Sequence, residues 1–304
     1  MTTADNAGQQ PGAARQGLLA RYPLTFYFII AYAFAWVVWV PLALSQDGAG
    51  VLSFHSPIGA SASVILASFV GPFLSAFIMT GIIEGSEGIG RLLRRLVLWR
   101  VGLGWYLFTL IGIPMILVLG VLVLPGALTS FKGIASLVAI PWLSQIVYVF
   151  VHGPLGEEPG WRGFALPRLQ RLHGPLVGSL ILGPLWALWH LPFFWVPAWN
   201  FPPTLANIVL FVIASIPVTI IMTWVFNNTK GSVLMAILGH WSFDMTFVVL
   251  NLLFTAPIVT DYGSTLPVLI GLGAVALLLI ALTRGRLGYQ HYQQEEADLA
   301  TASR

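Results

Sequence analysis

Eight long apolar runs without Lys or Arg constrain this sequence more than any other feature. Each run has between 18 and 24 residues, and about 20 mostly apolar residues are needed for a helix to cross the hydrocarbon core of a bilayer. The runs cover residues 24–44, 60–83, 105–125, 133–151, 176–196, 205–226, 232–254 and 266–283. The sequence therefore predicts an all-α, polytopic membrane protein with about eight transmembrane helices.

The composition supports this prediction and excludes several classes of protein. Only 8% of the residues are charged and 57% are hydrophobic, whereas an ordinary soluble domain has about 25% charged residues. The chain has a net charge of +3 but no polar domain on which basic residues could form a surface that binds nucleic acid. We therefore expect its partner to be the lipid bilayer rather than nucleic acid. The chain has no Cys, which excludes disulfides, thiolate metal sites and a cysteine nucleophile.

The positions of the basic residues predict the orientation of the chain in the membrane. Thirteen of the 14 Lys and Arg residues lie in the tails and loops of one side, and Lys132 is the exception. Because positive charge stays on the cytoplasmic side, we expect a multi-pass cell-membrane protein with both termini cytoplasmic. The predicted organisation is a disordered cytoplasmic tail (1–23), a membrane domain (24–283) with a catalytic core at about 133–253, and a cytoplasmic tail (284–304) that is disordered from residue 290.

Three groups of ionisable residues lie within or at the ends of the apolar runs, where an unpaired charge is costly. In the first, Glu158 and Arg162 are one helical turn apart and can pair. Glu157 points away from that pair, which suits a base that takes a proton from water. The second group is Trp186 with His190, and the third is His240 with Asp244. In the third, the carboxylate can hold the tautomer of the imidazole.

Together the groups form the ordered motifs Glu-Glu-x-x-x-Arg, aromatic-x-x-x-His and His-x-x-x-Asp. This order resembles the CAAX-protease and bacteriocin-processing family of intramembrane endopeptidases, which includes the prenyl-protein endopeptidase of eukaryotes. The resemblance covers about 133–253. It implies hydrolysis of a peptide bond in a polar cavity that faces the cytoplasm. The implied substrate is a membrane-tethered protein or peptide, and the resemblance alone extends this to prenylated substrates.

The resemblance also implies roles for the motif residues. Four residues would act on the reacting groups: Glu157, His190, His240 and Asp244. Three would support them: Glu158, Arg162 and Trp186. By motif position, Glu157 and His190 would activate water, and the His240 motif would stabilise the oxyanion.

Two positions depart from the family pattern. Trp186 replaces the usual Phe and makes a larger wall. Asp244 stands where many relatives have Asn, and an ionised Asp cannot donate a hydrogen bond to an oxyanion. We expect Asp244 to be protonated or, preferably, to act by keeping His240 an imidazolium donor.

Two alternatives remain open at this point. Two His and one Glu match the ligands of a catalytic zinc ion, and a zinc site would use Glu157, His190 and His240. The spacing is not that of soluble zinc proteases, so no cofactor is favoured. The alternative function is a non-enzymatic membrane scaffold or immunity protein, or a proton-coupled transporter.

Overall fold

The chain forms a bundle of helices in a computed structural model that describes residues 17–199, 201–255 and 265–302. The helices are α1 (Pro23–Leu44), α2 (Ala60–Leu96), α3 (Leu103–Leu122), α4 (Trp142–His152), α5 (Pro154–Gly160), α6 (Leu166–His173), α7 (Pro175–Trp189), α8 (Leu205–Asn228), α9 (Val233–Leu253), α10 (Thr265–Thr283) and α11 (Tyr289–Ala302). Shorter helical turns are Leu18–Arg21, Ala127–Ser130, Ala135–Ala139, Trp161–Ala165, Leu191–Trp195 and Pro197–Trp199. The start of the predicted N-terminal tail, residues 1–16, lies outside the described residues.

Seven of the eight predicted runs lie in helices that are long and apolar enough to cross a membrane. They are α1, α2, α3, α7 with the turn that follows it, α8, α9 and α10. The chain is therefore an all-helical, multi-pass membrane protein.

The predicted span at 133–151 is wrong as a single transmembrane helix. Pro141 precedes α4 and has no backbone N–H, so the helix begins only at Trp142. With 11 residues, α4 is about 16 Å long at 1.5 Å per residue, about half the thickness of the hydrocarbon core. At Gly153 the backbone leaves helical geometry, with φ −142° and ψ −61°, and α5 follows.

The C-terminal segment, predicted to be disordered from residue 290, instead forms α11. Tyr292 is 1% exposed, and its ring lies 5.4 Å from that of Phe226. Arg95 donates hydrogen bonds to the Tyr292 hydroxyl at 2.7 Å and to Glu296 at 2.5 Å. Burial raises the pKa of Tyr292, so its hydroxyl stays neutral and donates to Glu296. A buried aromatic side chain thus orders a segment whose composition is polar.

Helix α11 lies across an end of the bundle that we call the basic end. Glu295 lies 3.4 Å from Lys230, and Glu296 lies 3.6 Å from Arg171. The basic end is defined by the helix ends and loops that hold Arg21, Arg91, Arg94, Arg95, Arg100, Arg168, Arg171, Lys230, Arg284 and Arg286. Lys132 lies at the opposite end, where its backbone N–H donates to the Leu253 carbonyl at 2.8 Å.

Small residues allow α5 to pack deep inside the bundle. A Cβ atom on Gly156 would lie 2.6 Å from Ser68 Cβ. A Cβ atom on Gly160 would overlap Tyr27 Oη and the backbone of Pro72. Close backbone approach of this kind is what small residues permit in membrane proteins, and it places Glu157 and Glu158 in the interior.

Candidate active site

Glu158 lies at the centre of a buried charged network. Its Oε1 atom accepts hydrogen bonds from Arg162 Nη1 at 2.8 Å and from His240 Nδ1 at 2.7 Å. Glu158 and Arg162 are each 0% exposed and His240 is 6% exposed. Buried charges of this kind are stable only when they are paired. The pair that the sequence predicts between Glu158 and Arg162 is therefore present, and His240 joins it from α9.

Glu157 is separate from this network, as the sequence predicts, but it has a partner of its own. It is 3% exposed, and its Oε2 accepts a hydrogen bond from Trp186 Nε1 at 2.7 Å. The Trp186 ring also lies edge-on to His240, with centroids 5.3 Å apart, and 5.0 Å from the Arg162 guanidinium carbon. Trp186 is thus more than a large wall, because its N–H holds one oxygen of Glu157.

His190 lies at the end of α7 in an aromatic setting. Its Nδ1–H donates to the Trp186 carbonyl at 3.0 Å, which leaves Nε2 with a free lone pair in the neutral ring. The imidazole lies between Trp39 and Trp199, whose rings are nearly parallel to it at centroid distances of 5.9 and 5.5 Å. The contacts hold the ring in one orientation.

Asp244 lies near His240 but is not its main hydrogen-bond partner. Asp244 Oδ2 is 3.6 Å from His240 Nε2, and the Asp244 side chain is 33% exposed. This is an ion-pair distance but too long for a hydrogen bond. His240 and Asp244 are near each other, as expected, but the hydrogen bond that orients His240 is the one its Nδ1–H donates to Glu158, 82 positions away in the chain.

One cavity of about 600 Å³ connects these side chains. Its lining includes all four residues expected to act on the reacting groups: Glu157, His190, His240 and Asp244. Trp186 also lines it, whereas Glu158 and Arg162 lie behind its surface. Five of the seven predicted residues therefore line the cavity, and the other two, Glu158 and Arg162, are buried behind its wall.

Three residues in or beside the cavity belong to none of the sequence motifs. Trp199 lines the cavity beside His190, Trp39 supports that ring from the other side, and His152 lines the wall at the end of α4. Trp39 and Trp199 come from α1 and from the loop after α7. No spacing rule connects positions so far apart, although the frequent Trp residues of the chain are a weak hint.

The same groups do not form a metal site in their present arrangement. Within the described ranges, no group of three or more His, Asp and Glu side chains converges closely enough to hold a metal ion. Glu157 Oε2 accepts a hydrogen bond from Trp186, and His240 Nδ1 donates one to Glu158. The atoms left for a metal ion are Glu157 Oε1 and the Nε2 atoms of His190 and His240, and these side chains do not converge closely enough to hold one. We assign no step to a metal. Elemental analysis of the purified protein is expected to find zinc well below one atom per chain, and stoichiometric zinc would contradict this reading.

Comparison with known proteins supports the motif resemblance. Residues 139–246 match the family model described as type II CAAX prenyl endopeptidase, Rce1-like. The chain is also 23% identical over 235 residues to CAAX prenyl protease 2 of Methanococcus maripaludis, an alignment that covers 74% of this chain and 84% of the relative. All seven predicted site residues lie within the matched segment. The chain thus carries, at residues 139–246, a domain of the Rce1-like family of type II CAAX prenyl endopeptidases.

Proposed function

We propose that this protein is an intramembrane endopeptidase that hydrolyses a peptide bond in a membrane-tethered protein or peptide. The observation that carries the proposal is that Glu157, His190, His240 and Asp244 line a single cavity. The family match supports protease chemistry, and a prenyl group on the substrate is part of the proposal only through that likeness. The grouping of basic residues at one end supports cytoplasmic termini.

In the proposed reaction, Glu157 is the general base. Its Oε1 takes a proton from a water molecule whose oxygen attacks the carbonyl carbon of the scissile bond. His190 Nε2 accepts the second hydrogen of that water as a hydrogen bond and so orients it. The carbon–nitrogen bond then breaks, and the proton on Glu157 passes to the leaving amine.

His240 is proposed to stabilise the oxyanion. Its Nδ1–H is committed to Glu158, so it can donate from Nε2 only as the doubly protonated imidazolium. The carboxylates of Glu158 and Asp244 lie near its two nitrogens, at 2.7 and 3.6 Å. This arrangement supports the version in which Asp244 acts through the charge of His240.

The Asp244→Asn variant tests whether Asp244 acts through the charge of His240. Replacing the carboxylate by an amide keeps the size of the side chain but removes a negative charge 3.6 Å from His240 Nε2. We expect a lower kcat/KM at neutral pH and a changed alkaline limb of the pH profile of kcat/KM. An Asn variant with the activity and pH profile of the parent protein would show that Asp244 does not act through the charge of His240.

The Trp186→Phe variant tests how Glu157 is held. It restores the aromatic residue that the family motif has but removes the N–H that donates to Glu157 Oε2. Hydrogen bonds to charged groups contribute about 1.5–3 kcal/mol, so we expect kcat to fall by about tenfold or more with little change in KM. An unchanged kcat would mean that the ring matters only for packing.

A cleavage assay with purified protein tests the function itself. Membrane-anchored peptides with and without a lipidated C-terminus are incubated with the parent protein and with Glu157→Ala and His190→Ala variants. We expect cleavage of at least one class of peptide by the parent protein alone. Cleavage that persists in both variants would contradict the mechanism, and cleavage of no peptide would favour the non-enzymatic alternative.

A further inference from the structure

The position of the cavity along the bundle bears on which side of the membrane the substrate comes from. Helix α9 gives the clearest measure because it runs from the basic end to the opposite end. At its start, Ser232 Oγ donates to the Leu98 carbonyl, two residues before Arg100. At its end, the Asn251 carbonyl accepts a hydrogen bond from Lys132 Nζ at 3.0 Å.

The chemical groups lie partway along α9, and the outer lining lies farther from the basic end. At 1.5 Å per residue, His240 is about 10 Å and Asp244 about 16 Å from the start of α9, whereas Asn251 is about 27 Å from it. Asn251 is exposed and also lines the cavity.

Four other helices also place the cavity lining toward the end of the bundle opposite the basic end. The cavity is lined by residues close to the starts of α2, α4, α8 and α10, and all of these starts lie at the end opposite the basic end. They are Val64, Gln145, Asn207 and Thr265. Among the described lining residues there is no Lys or Arg.

From these positions we infer that the cavity opens on the extracytoplasmic side and that the substrate is a segment of a membrane-tethered protein or peptide exposed on that side. The basic end lies on the cytoplasmic side by the positive-inside rule, and the outer lining lies at the other end. This is the opposite of the cytoplasm-facing cavity expected from the sequence. The identity of the substrate rests on the proposed peptidase function, whereas the side of access does not.

The aromatic wall indicates what side chain the substrate presents near the cleaved bond. Trp199 and Phe211 contact the His190 ring, Phe193 and Phe201 pack against Trp199, and all four line the cavity. An apolar side chain gains free energy by leaving water for such a wall. The substrate segment therefore carries an apolar residue next to the scissile bond.

Single-cysteine labelling tests the side of access, because the chain has no Cys of its own. Asn251→Cys reports on the outer lining and Ser215→Cys on the cavity interior, where Ser215 is 5% exposed. Gln294→Cys is the matched control, an exposed uncharged residue of α11 at the basic end. The probe is a small, charged, membrane-impermeant thiosulfonate, applied to intact cells and to lysed cells.

We expect the Asn251→Cys and Ser215→Cys variants to react in intact cells and the Gln294→Cys variant to react only after lysis. Reaction of Gln294→Cys in intact cells would overturn the inference, since the bundle would be inverted. A Ser215→Cys variant shielded from the outside would also overturn it. Asn207→Cys replaces Ser215→Cys if the latter does not accumulate.

A second arm measures the substrate side in cells. Two reporters carry the same apolar cleavage segment on one membrane anchor, exposed on the outside in one reporter and in the cytoplasm in the other. We expect the parent protein to cleave only the outside reporter, and preferential cleavage of the cytoplasmic one would overturn the inference. Labelling as expected without cleavage of any peptide, in cells or in detergent, would contradict the peptidase function alone.

Discussion

Replacing Glu157 with Gln is expected to lower kcat by about 10²- to 10⁴-fold, the range for loss of a general base. The amide cannot take a proton from water at neutral pH, whereas its carbonyl oxygen can still accept the hydrogen bond from Trp186 Nε1. Glu157 is 3% exposed, and the ion pair of Arg162 is with Glu158 rather than with Glu157. The variant should therefore keep its fold, its expression level and its affinity for peptide while losing turnover.

The matched control is Glu87→Gln, which changes the same functional group on a side chain that is 89% exposed and outside the cavity. We expect it to keep the activity of the parent protein. Turnover is measured with a peptide that the parent protein cleaves, and folding is checked by the midpoint of thermal unfolding (Tm) in mild detergent. A Glu157→Gln variant that retains kcat within tenfold of the parent value would remove Glu157 from the proposed role.

The Arg162→Met variant is expected to cause the largest loss of stability. It leaves the carboxylate of Glu158, which is 0% exposed, without its guanidinium partner and with His240 as its remaining hydrogen-bond donor. Breaking a buried ion pair by removing one partner costs about 3–5 kcal/mol, because the remaining charge stays in a medium that solvates it poorly. Met keeps much of the volume of Arg, so lost packing contributes little to the difference. We expect a markedly lower midpoint of thermal unfolding in detergent and reduced accumulation of the variant in the membrane.

Two further variants separate charge pairing from other causes. Arg171→Met removes an arginine that is 68% exposed and 3.6 Å from Glu296, and exposed pairs contribute about 0–1 kcal/mol. Its midpoint should stay near that of the parent protein. The double variant Arg162→Met with Glu158→Gln removes both charges and should recover part of the lost stability. Equal midpoints for Arg162→Met and Arg171→Met would show that the buried pair does not stabilise the fold.

Part of the candidate site could be predicted because its contacts are local. Glu158 and Arg162 are four positions apart, and helix geometry places such residues on one face; they are 2.8 Å apart in the structure. The same rule predicted that Asp244 lies near His240, which holds at 3.6 Å. The same rule cannot show that His240 is hydrogen-bonded to Glu158, because that contact joins two helices.

The overall fold could likewise be predicted only in part. Length and hydropathy were sufficient for seven membrane helices, since each must satisfy its backbone within one apolar segment. They were insufficient at 133–151, where Pro141 separates the short turn Ala135–Ala139 from α4 and no single long helix forms. They also failed at the C-terminus, where burial of Tyr292 against Phe226 orders a polar segment.

The sequence by itself determined that this is a multi-pass helical membrane protein with three polar motifs, because hydropathy and i, i+4 spacing are properties of one segment at a time. Only the tertiary structure decided which motifs meet. It joined Glu158 to His240, gave Glu157 a donor in Trp186, and enclosed His190 between Trp39 and Trp199. It also placed the cavity away from the basic end. These features depend on how helices pack against one another, and no local pattern in the chain records that packing.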